Sequence, residues 1–431
     1  MNFLFLFHRN YTCPLSRTGC LALICLFFLI CGTGMVSAEK TGEVFPTWQE
    51  GYLDIHHIAT GRGNATFFML PDGTTMLIDA GQISRDPGPR LVKAKPDDSR
   101  NAGEWIARYI QILLKDRQQQ IDYMLVTHFH SDHIGGLISG LKESEAGNYM
   151  LTGVTEVYEH IPFDKVFDRA YPDYDWPEPL EANYIMNYRN FIDWNVKHHG
   201  LQVERFEPGR NDQMVLRNNP EAFENFEIRN IASNGKIWTG VGDNIRNHFP
   251  PLEELTPDIY PTENMLSSAI RVSYGKFDYF TGGDLVGVES SRPGLPSWHD
   301  VETPVAKAVG PVEVNVVNHH GHFDAQNEFF LATLRPKVHI IQAWSINHPA
   351  PSTLRRLLSN RIYPGPRDVF QTNIMEGTKH FIGNPINRLK STNGHIVLRV
   401  KPGGDTFQVY ILDNSDESFR IKSVHGPYKS K

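Results

Sequence analysis

Thr127-His128-Phe129-His130-Ser131-Asp132-His133-Ile134-Gly135-Gly136 follows directly on the apolar run Tyr123-Met-Leu-Val126, and this stretch decides the fold. The run is short, uncharged and rich in large apolar residues, as a buried strand requires. The polar residues therefore emerge where the strand ends. In extended backbone His128 and His130 project to the same side, because side-chain direction repeats every two residues. A turn at Ser131 then brings Asp132 and His133 round to a second point close by. Imidazoles beside a carboxylate suit borderline-soft divalent cations such as Zn²⁺. A histidine-rich surface loop is the alternative, but four ligand-type residues within the six positions 128–133 argue against it.

Upstream, Tyr52-Leu-Asp-Ile-His-His-Ile58 reads as a strand and Gly61-Arg-Gly63 as a tight turn. Ala65-Thr-Phe-Phe-Met-Leu70 and Thr75-Met-Leu-Ile-Asp79 read as strands around a Pro71-Asp-Gly73 hairpin turn. Trp105, Ile106, Tyr109, Ile110 and Leu113 recur at helical spacing, predicting a helix from Ala102 to Lys115. Residues 160–200 hold Pro162, Pro172, Pro177, Pro179 and many aromatics, and read as an insertion that is helical from Glu181 to Val196.

A second strand-rich half begins near Phe226. It includes Ser268–Tyr274, Phe277–Thr281, Val312–Val317, Val338–Gln342 and His395–Val400, with helices expected at Ala325–Leu334 and Ser352–Leu358. Strands punctuated by helices in both halves predict an α/β (α+β) fold, two packed sheets with helices on the outer faces. Thr281-Gly-Gly-Asp284, Asn318-His319-His320-Gly321-His322 and Ile346-Asn347-His348-Pro349 each follow a strand in this half.

These motifs resemble the metallo-β-lactamase fold superfamily, whose H-x-H-x-D-H signature is present in full at His128–His133. Leu77-Ile-Asp79-Ala-Gly81 looks like its first motif, where the Asp supports the metal loop. Thr281-Gly-Gly-Asp284-Leu looks like its fourth, where the carboxylate bridges two metals. The order of motifs from residue 52 to 412 is most similar to the soluble hydrolase domain of ComEC-type DNA-uptake proteins, without their polytopic membrane region. The resemblance implies a four-layer αββα fold over residues 39–431 and a metal-dependent hydrolase. It implies metal ligands His128, His130, Asp132, His133, Asp284 and His348, with Asp132, His319 and His320 as catalytic or substrate contacts. The assignment of the last ligand can be reversed, with His319 or His320 as ligand; His322 is expected to face solvent. The third motif departs from the family. Thr262-Glu-Asn264-Met-Leu-Ser267 offers Asn264 but no imidazole, and His248 and His160 are the other candidates. His198-His199 is expected to end a helix. One of two metal positions is then weaker, or takes a harder ion such as Mn²⁺.

Composition narrows the rest. All four cysteines, Cys13, Cys20, Cys25 and Cys31, lie in the first 31 residues, which excludes a Cys-ligated metal site, a disulfide scaffold and a cysteine nucleophile from the remaining chain. Residues 1–38 carry only Arg9 and Arg17 as charges, then an apolar run ending Val36-Ser37-Ala38. That is the pattern of an export signal, and it predicts a periplasmic or extracellular protein. A retained membrane anchor is the alternative, and only that gives the membrane as a partner. Loss of the two arginines takes the formal net charge from −7 to −9. Long duplex DNA is a poor substrate for such a chain, since non-specific binding depends on phosphate neutralisation. A small phosphodiester, or short or single-stranded nucleic acid, fits better. Arg62, Lys93 and Lys95 near the metal loops are candidate anion contacts, read first as solvated loop charges. The rival readings are lactam, lactone or thioester hydrolysis on the same fold, and a non-enzymatic exported metal-binding module.

Overall fold

In the strand Leu53–His57, Leu53 and Ile55 point to one side and His56 to the other, and every residue is buried. The neighbours behave alike. Phe68, Met76, Ile78, Tyr123 and Leu125 enter a central core, while Phe67, Met69, Leu77 and Met124 enter a second one. Strands apolar on both faces are strands covered on both faces.

The computed structural model describes residues 41–84, 86, 88–288 and 294–431; the export-signal reading falls on residues 1–38, outside the described residues. The described residues form one compact unit. Among the described residues, one sheet has nine strands, in the order Ile421–Lys429, Thr406–Leu412, His395–Val400, Leu53–His57, Thr66–Met69, Thr75–Ile78, Ile121–Leu125, Phe163–Asp168 and Gln202–Arg205. The other has eight, in the order Asp368–Gln371, Val338–Ile341, Val314–Val316, Phe277–Thr281, Ala269–Tyr274, Phe226–Ser233, Lys236–Trp238 and Ile245–Asn247. Both are mixed, with a parallel half beside an antiparallel half.

The two sheets share the central core, where Ile55, Phe68 and Leu398 meet Val272, Tyr279 and Val314. Ala102–Leu113, Val154–His160 and Asn183–His199 cover the outer face of the first sheet through Ile106, Ile110, Val154 and Phe191. Glu302–Val309, Glu328–Leu334 and Pro351–Leu357 cover the second through Val305, Phe330 and Leu354. The four-layer expectation therefore holds. Among the described residues no helix is long and apolar enough to cross a membrane.

The insertion reading of residues 160–200 needs correction. Phe163–Asp168 pairs in parallel with Ile121–Leu125 and with Gln202–Arg205, so it is an internal strand. Val166 enters one core and Phe167 the other. Asn183–His199 is the crossover helix that returns the chain to the next strand. Only residues 169–182 lie outside this framework. Pro162, Pro172, Pro177 and Pro179 flank the strand without interrupting it, which is where prolines are tolerated.

The parallel halves position the site. The chain leaves the carboxyl ends of Thr75–Ile78 and Ile121–Leu125 in one sheet, and of Phe277–Thr281, Val314–Val316 and Val338–Ile341 in the other. Asp79, the histidine cluster, Asp284, His319–His320 and His348 follow those ends in turn. Carboxyl ends of parallel strands are where open α/β sheets place their ligands.

Candidate metal centre

Asp79 follows its strand in a left-handed conformation, φ 57°. Its carboxylate accepts the backbone N–H of Thr127 at 2.8 Å and the Thr127 hydroxyl at 2.8 Å. His133 Nδ1 lies 2.7 Å from Asp79 Oδ2. Nδ1–H donates to the carboxylate, which leaves Nε2 of His133 to face the opposite way. Close approach of backbone completes the loop. The Asp132 carbonyl accepts the N–H of Asn64 at 2.8 Å, and a Cβ on Gly81 would stand 1.9 Å from that same oxygen.

Asp284 is the point at which the two sheets meet. Its amide N–H donates to Ser267 Oγ at 3.1 Å. Its Oδ1 lies 3.3 Å from His133 Nε2, and its Oδ2 lies 3.4 Å from His320 Nε2, 3.7 Å from His128 Nε2 and 3.9 Å from His319 Nε2. Asp132 Oδ2 stands 3.0 Å from His320 Nε2. Asp132, His133, Asp284 and His320 thus gather four donor atoms within 4.8 Å of one another, and His128, His130 and Asp284 form a second such group. His133 Nε2 and Asp284 Oδ1 are buried with no hydrogen-bond partner. Buried polar atoms are rarely left so, and nitrogen and carboxylate donors converging in a dry site are the donor set of a divalent cation. The residues fit a metal.

The charge distribution agrees. Burial alone would lower His133 and His320, but Asp284 with Asp79 and Asp132 outweighs it at His133, which is held well above its ordinary value. Asp284 and Asp132 likewise push His320 up to about 9. Against its own burial, Asp284 is held well below the carboxylate range by His320, His133 and His319. His128 is lowered by burial and then by His133. Without cations the cluster holds protons where positive charge is needed.

Six of the residues named from sequence come together as two ligand groups: His128, His130, Asp132, His133, Asp284 and His320. His348 does not join them. It stacks on the far side of His320 at 4.7 Å between ring centres, edge-on to Trp344, so of the two it is His320, the alternative ligand, that stands among the gathered donor atoms. His319 sits at the rim, its Nδ1 2.8 Å from Asp324 Oδ1 and its Nε2 3.3 Å from the amide of Asn264. His322, expected to face solvent, is 21% exposed and also meets Asp324, at 3.2 Å. His248 reaches the Asp300 carbonyl, His160 ends the helix Val154–His160, and His199 pairs with Asn195. None of these three is in a ligand group. Arg62 is buried, with Nη1 donating to the carbonyls of Gly61 and Val92, so it braces two loops.

Several residues that matter were not singled out from sequence. Glu263 accepts the Phe129 N–H at 2.8 Å and forms an ion pair with Arg169, whose side chain is fully buried. Glu302 takes Asn318 Nδ2 at 2.9 Å and the amides of Gln326 at 2.7 Å and Asn327 at 2.8 Å, pinning both ends of the histidine turn. That turn is strained, with His319 at φ 47° and His320 at φ 54°, a cost that such clamps must offset. Asp324 was legible in principle as a carboxylate shortly after a histidine run. The partners of Glu263 and Glu302 lie far away in sequence.

No curated protein matches the chain. The model of the metallo-beta-lactamase superfamily matches residues 59–186, which hold Asp79 and the whole His128–His133 loop. The two-sheet architecture, with Asp284 and His320 arriving from the second sheet, is consistent with that fold.

Proposed function

We propose that the protein is an exported, metal-dependent hydrolase of phosphodiester bonds, with Zn²⁺ as its metal. One observation carries the metal-dependent part. The Asp284 carboxylate stands between two donor groups, with His128 and His130 on one side and Asp132, His133 and His320 on the other. A single carboxylate offers an oxygen to each of two cations, as two-metal sites require. Cations held there would supply a water acidified toward neutrality and positive charge against the attacked group. The protein's own residues do the rest. Asp79 fixes the ring of His133, Gln342 O lies 3.2 Å from Nδ1 of His320, and Asp324 fixes His319. His319, at the open side with its Nε2 toward Asn264, is placed to hand a proton to a departing oxygen. The phosphodiester reading rests on the ComEC-type order of motifs, and export rests on the composition of residues 1–38.

Purified protein is assayed for metal content, then for hydrolysis of a chromogenic phosphodiester and a chromogenic lactam with Zn²⁺ or Mn²⁺. Phosphodiester turnover lost in His130→Ala and Asp284→Ala is expected. Lactam turnover alone transfers the reading to carbonyl hydrolysis, and turnover unchanged by both substitutions rejects the site.

A further inference from the structure

We propose that Glu263 is a positioning residue: through the amide of Phe129 it holds His128 and His130 in the arrangement in which, with Asp284, they take a cation. The inference rests on the metal-dependent part of the proposed function and names what keeps one of its two donor groups assembled. Phe129 stands between the two imidazoles and beyond the end of the strand Ile121–Leu125, so its N–H lies outside the sheet ladder. Its side chain is fully buried, and a buried N–H needs an acceptor. Glu263 Oε1 accepts it at 2.8 Å. The same oxygen accepts Arg169 Nε at 2.8 Å, and Oε2 accepts Arg169 Nη2. Glu263 belongs to neither donor group and acts as a brace. Arg169 grips the same residue from another side, its guanidinium 5.0 Å from the centre of the Phe129 ring. That ring also packs on Tyr174 and Tyr188, at 5.8 and 5.7 Å between centres. Amide and ring held together fix the peptide that joins His128 to His130, whose Nε2 and Nδ1 stand 3.1 Å apart.

The rest of the same segment ties in Asp284. Glu263–Leu266 is one turn of 3₁₀ helix, in the stretch that offers no imidazole. Asn264 Nδ2 lies 3.3 Å from His319 Nε2, Ser267 Oγ accepts the Asp284 N–H at 3.1 Å, and the Ser268 N–H donates to the Thr127 carbonyl at 2.8 Å. A Cβ on Gly283 would stand 3.0 Å from Thr127 Oγ1 and 3.1 Å from Ser267 Cβ, so the three segments pack directly on one another. One short turn therefore touches the metal loop of the first sheet and the Asp284 loop of the second. In place of a ligand it supplies the spacing between ligands.

Removing Glu263 alone would strand the buried Arg169 guanidinium, so the test compares two double variants that both delete the ion pair. R169M/E263Q keeps an oxygen for the Phe129 N–H, and R169M/E263M does not. Zinc affinity is measured by competition with a chelator, following the equivalent that His130→Ala abolishes. R169M/E263M is expected to weaken that equivalent about tenfold and leave the other within about twofold, while R169M/E263Q stays within about threefold of wild type. Metal-free protein gives a second readout. Nuclear Overhauser contacts between the rings of His128 and His130 are expected to persist in R169M/E263Q and to vanish in R169M/E263M. Equal affinity in the two double variants, weakening of both equivalents together, or ring contacts unchanged in R169M/E263M overturns the assignment. If the wild type takes up no zinc at the His130 position while the ring contacts still follow the Phe129 acceptor, the two-metal reading falls and the positioning role stands.

Discussion

Asp79→Asn tests whether the carboxylate behind His133 acts on the candidate metal centre through proton placement. The wild-type carboxylate accepts three hydrogen bonds, two from Thr127 and one from His133 Nδ1 at 2.7 Å. An amide can keep its oxygen on the Thr127 N–H, and the Thr127 hydroxyl can rotate to accept. His133 has no such freedom. Facing an NH₂ group, Nδ1 must become the acceptor, which moves the ring proton to Nε2, 3.3 Å from Asp284 Oδ1 and on the donor side of the site. Ligation then requires the other tautomer, with N–H against N–H. Loss of such a partner costs about 10- to 100-fold in metal affinity, or about 1.4 to 2.8 kcal/mol. Competition between the protein and a chromophoric chelator measures it, and ¹⁵N shifts of His133 in the metal-free protein, taken at a pH high enough for the ring to be neutral, report the tautomer. Thr127→Val removes the hydroxyl that meets Asp79 and the rings of His128 and His133 but leaves the Asp79–His133 hydrogen bond in place, and is expected to lose less affinity than Asp79→Asn. An Asp79→Asn protein that binds zinc within twofold of wild type, or whose Nδ1 still carries the proton, refutes the reasoning.

Three further outcomes are expected. Arg169→Met strands the Glu263 carboxylate against the metal loop and is expected to cost about 3 to 5 kcal/mol in urea unfolding, as for any broken buried pair; a double-mutant cycle with Glu263→Gln recovers a large part, and additive effects would refute the coupling. Zinc loading at pH 7 is expected to release about two protons, since His320, pushed up to about 9, and His133 are both protonated beforehand. Calorimetry in buffers of different ionisation enthalpy counts them, and no release would contradict the electrostatics. Burial raises the Glu302 carboxyl from 4.5 to about 7, so the fold holds a proton that the unfolded chain has released. Its stabilising contribution is full below about pH 4.5 and is lost as pH rises toward 7, on the order of 3 kcal/mol. Glu302→Gln is expected to remove that slope, read as the difference between wild-type and variant stability at pH 5 and pH 8.

The gathering of the histidine cluster was legible in the sequence because its donor residues are local. A buried strand followed by H-x-H-x-D-H sets its own geometry, through side-chain alternation and one turn. The strands around Pro71-Asp-Gly73 were legible for the same reason, since their apolar alternation is a property of a few adjacent residues. Phe163–Asp168 failed because its meaning lies in the partners on either side. Within a stretch rich in proline and aromatics, nothing local shows that Lys165 pairs beside Tyr123 on one edge and Gln202 on the other.

The choice between His320 and His348 has the same physical root. Both imidazoles follow parallel strands of the second sheet, in neighbouring positions, and both sequences fit a ligand. The left-handed turn at His319 and His320 swings His320 toward Asp132 and Asp284, and the ring of His348 is left to stack behind it. That turn is held by Glu302 through Asn318, Gln326 and Asn327, contacts that exist only once the helix beginning at Glu302 has packed. By itself the sequence determined the layered fold class, the candidate metal-binding loop and the chemistry of its donors, because periodicity and short-range spacing suffice for those. Only the tertiary structure decided which histidine from the second sheet joins the donor cluster, and that Asp284 stands between two donor groups. Those are distances between segments far apart in the chain, fixed by the packing of two sheets rather than by any stretch of residues.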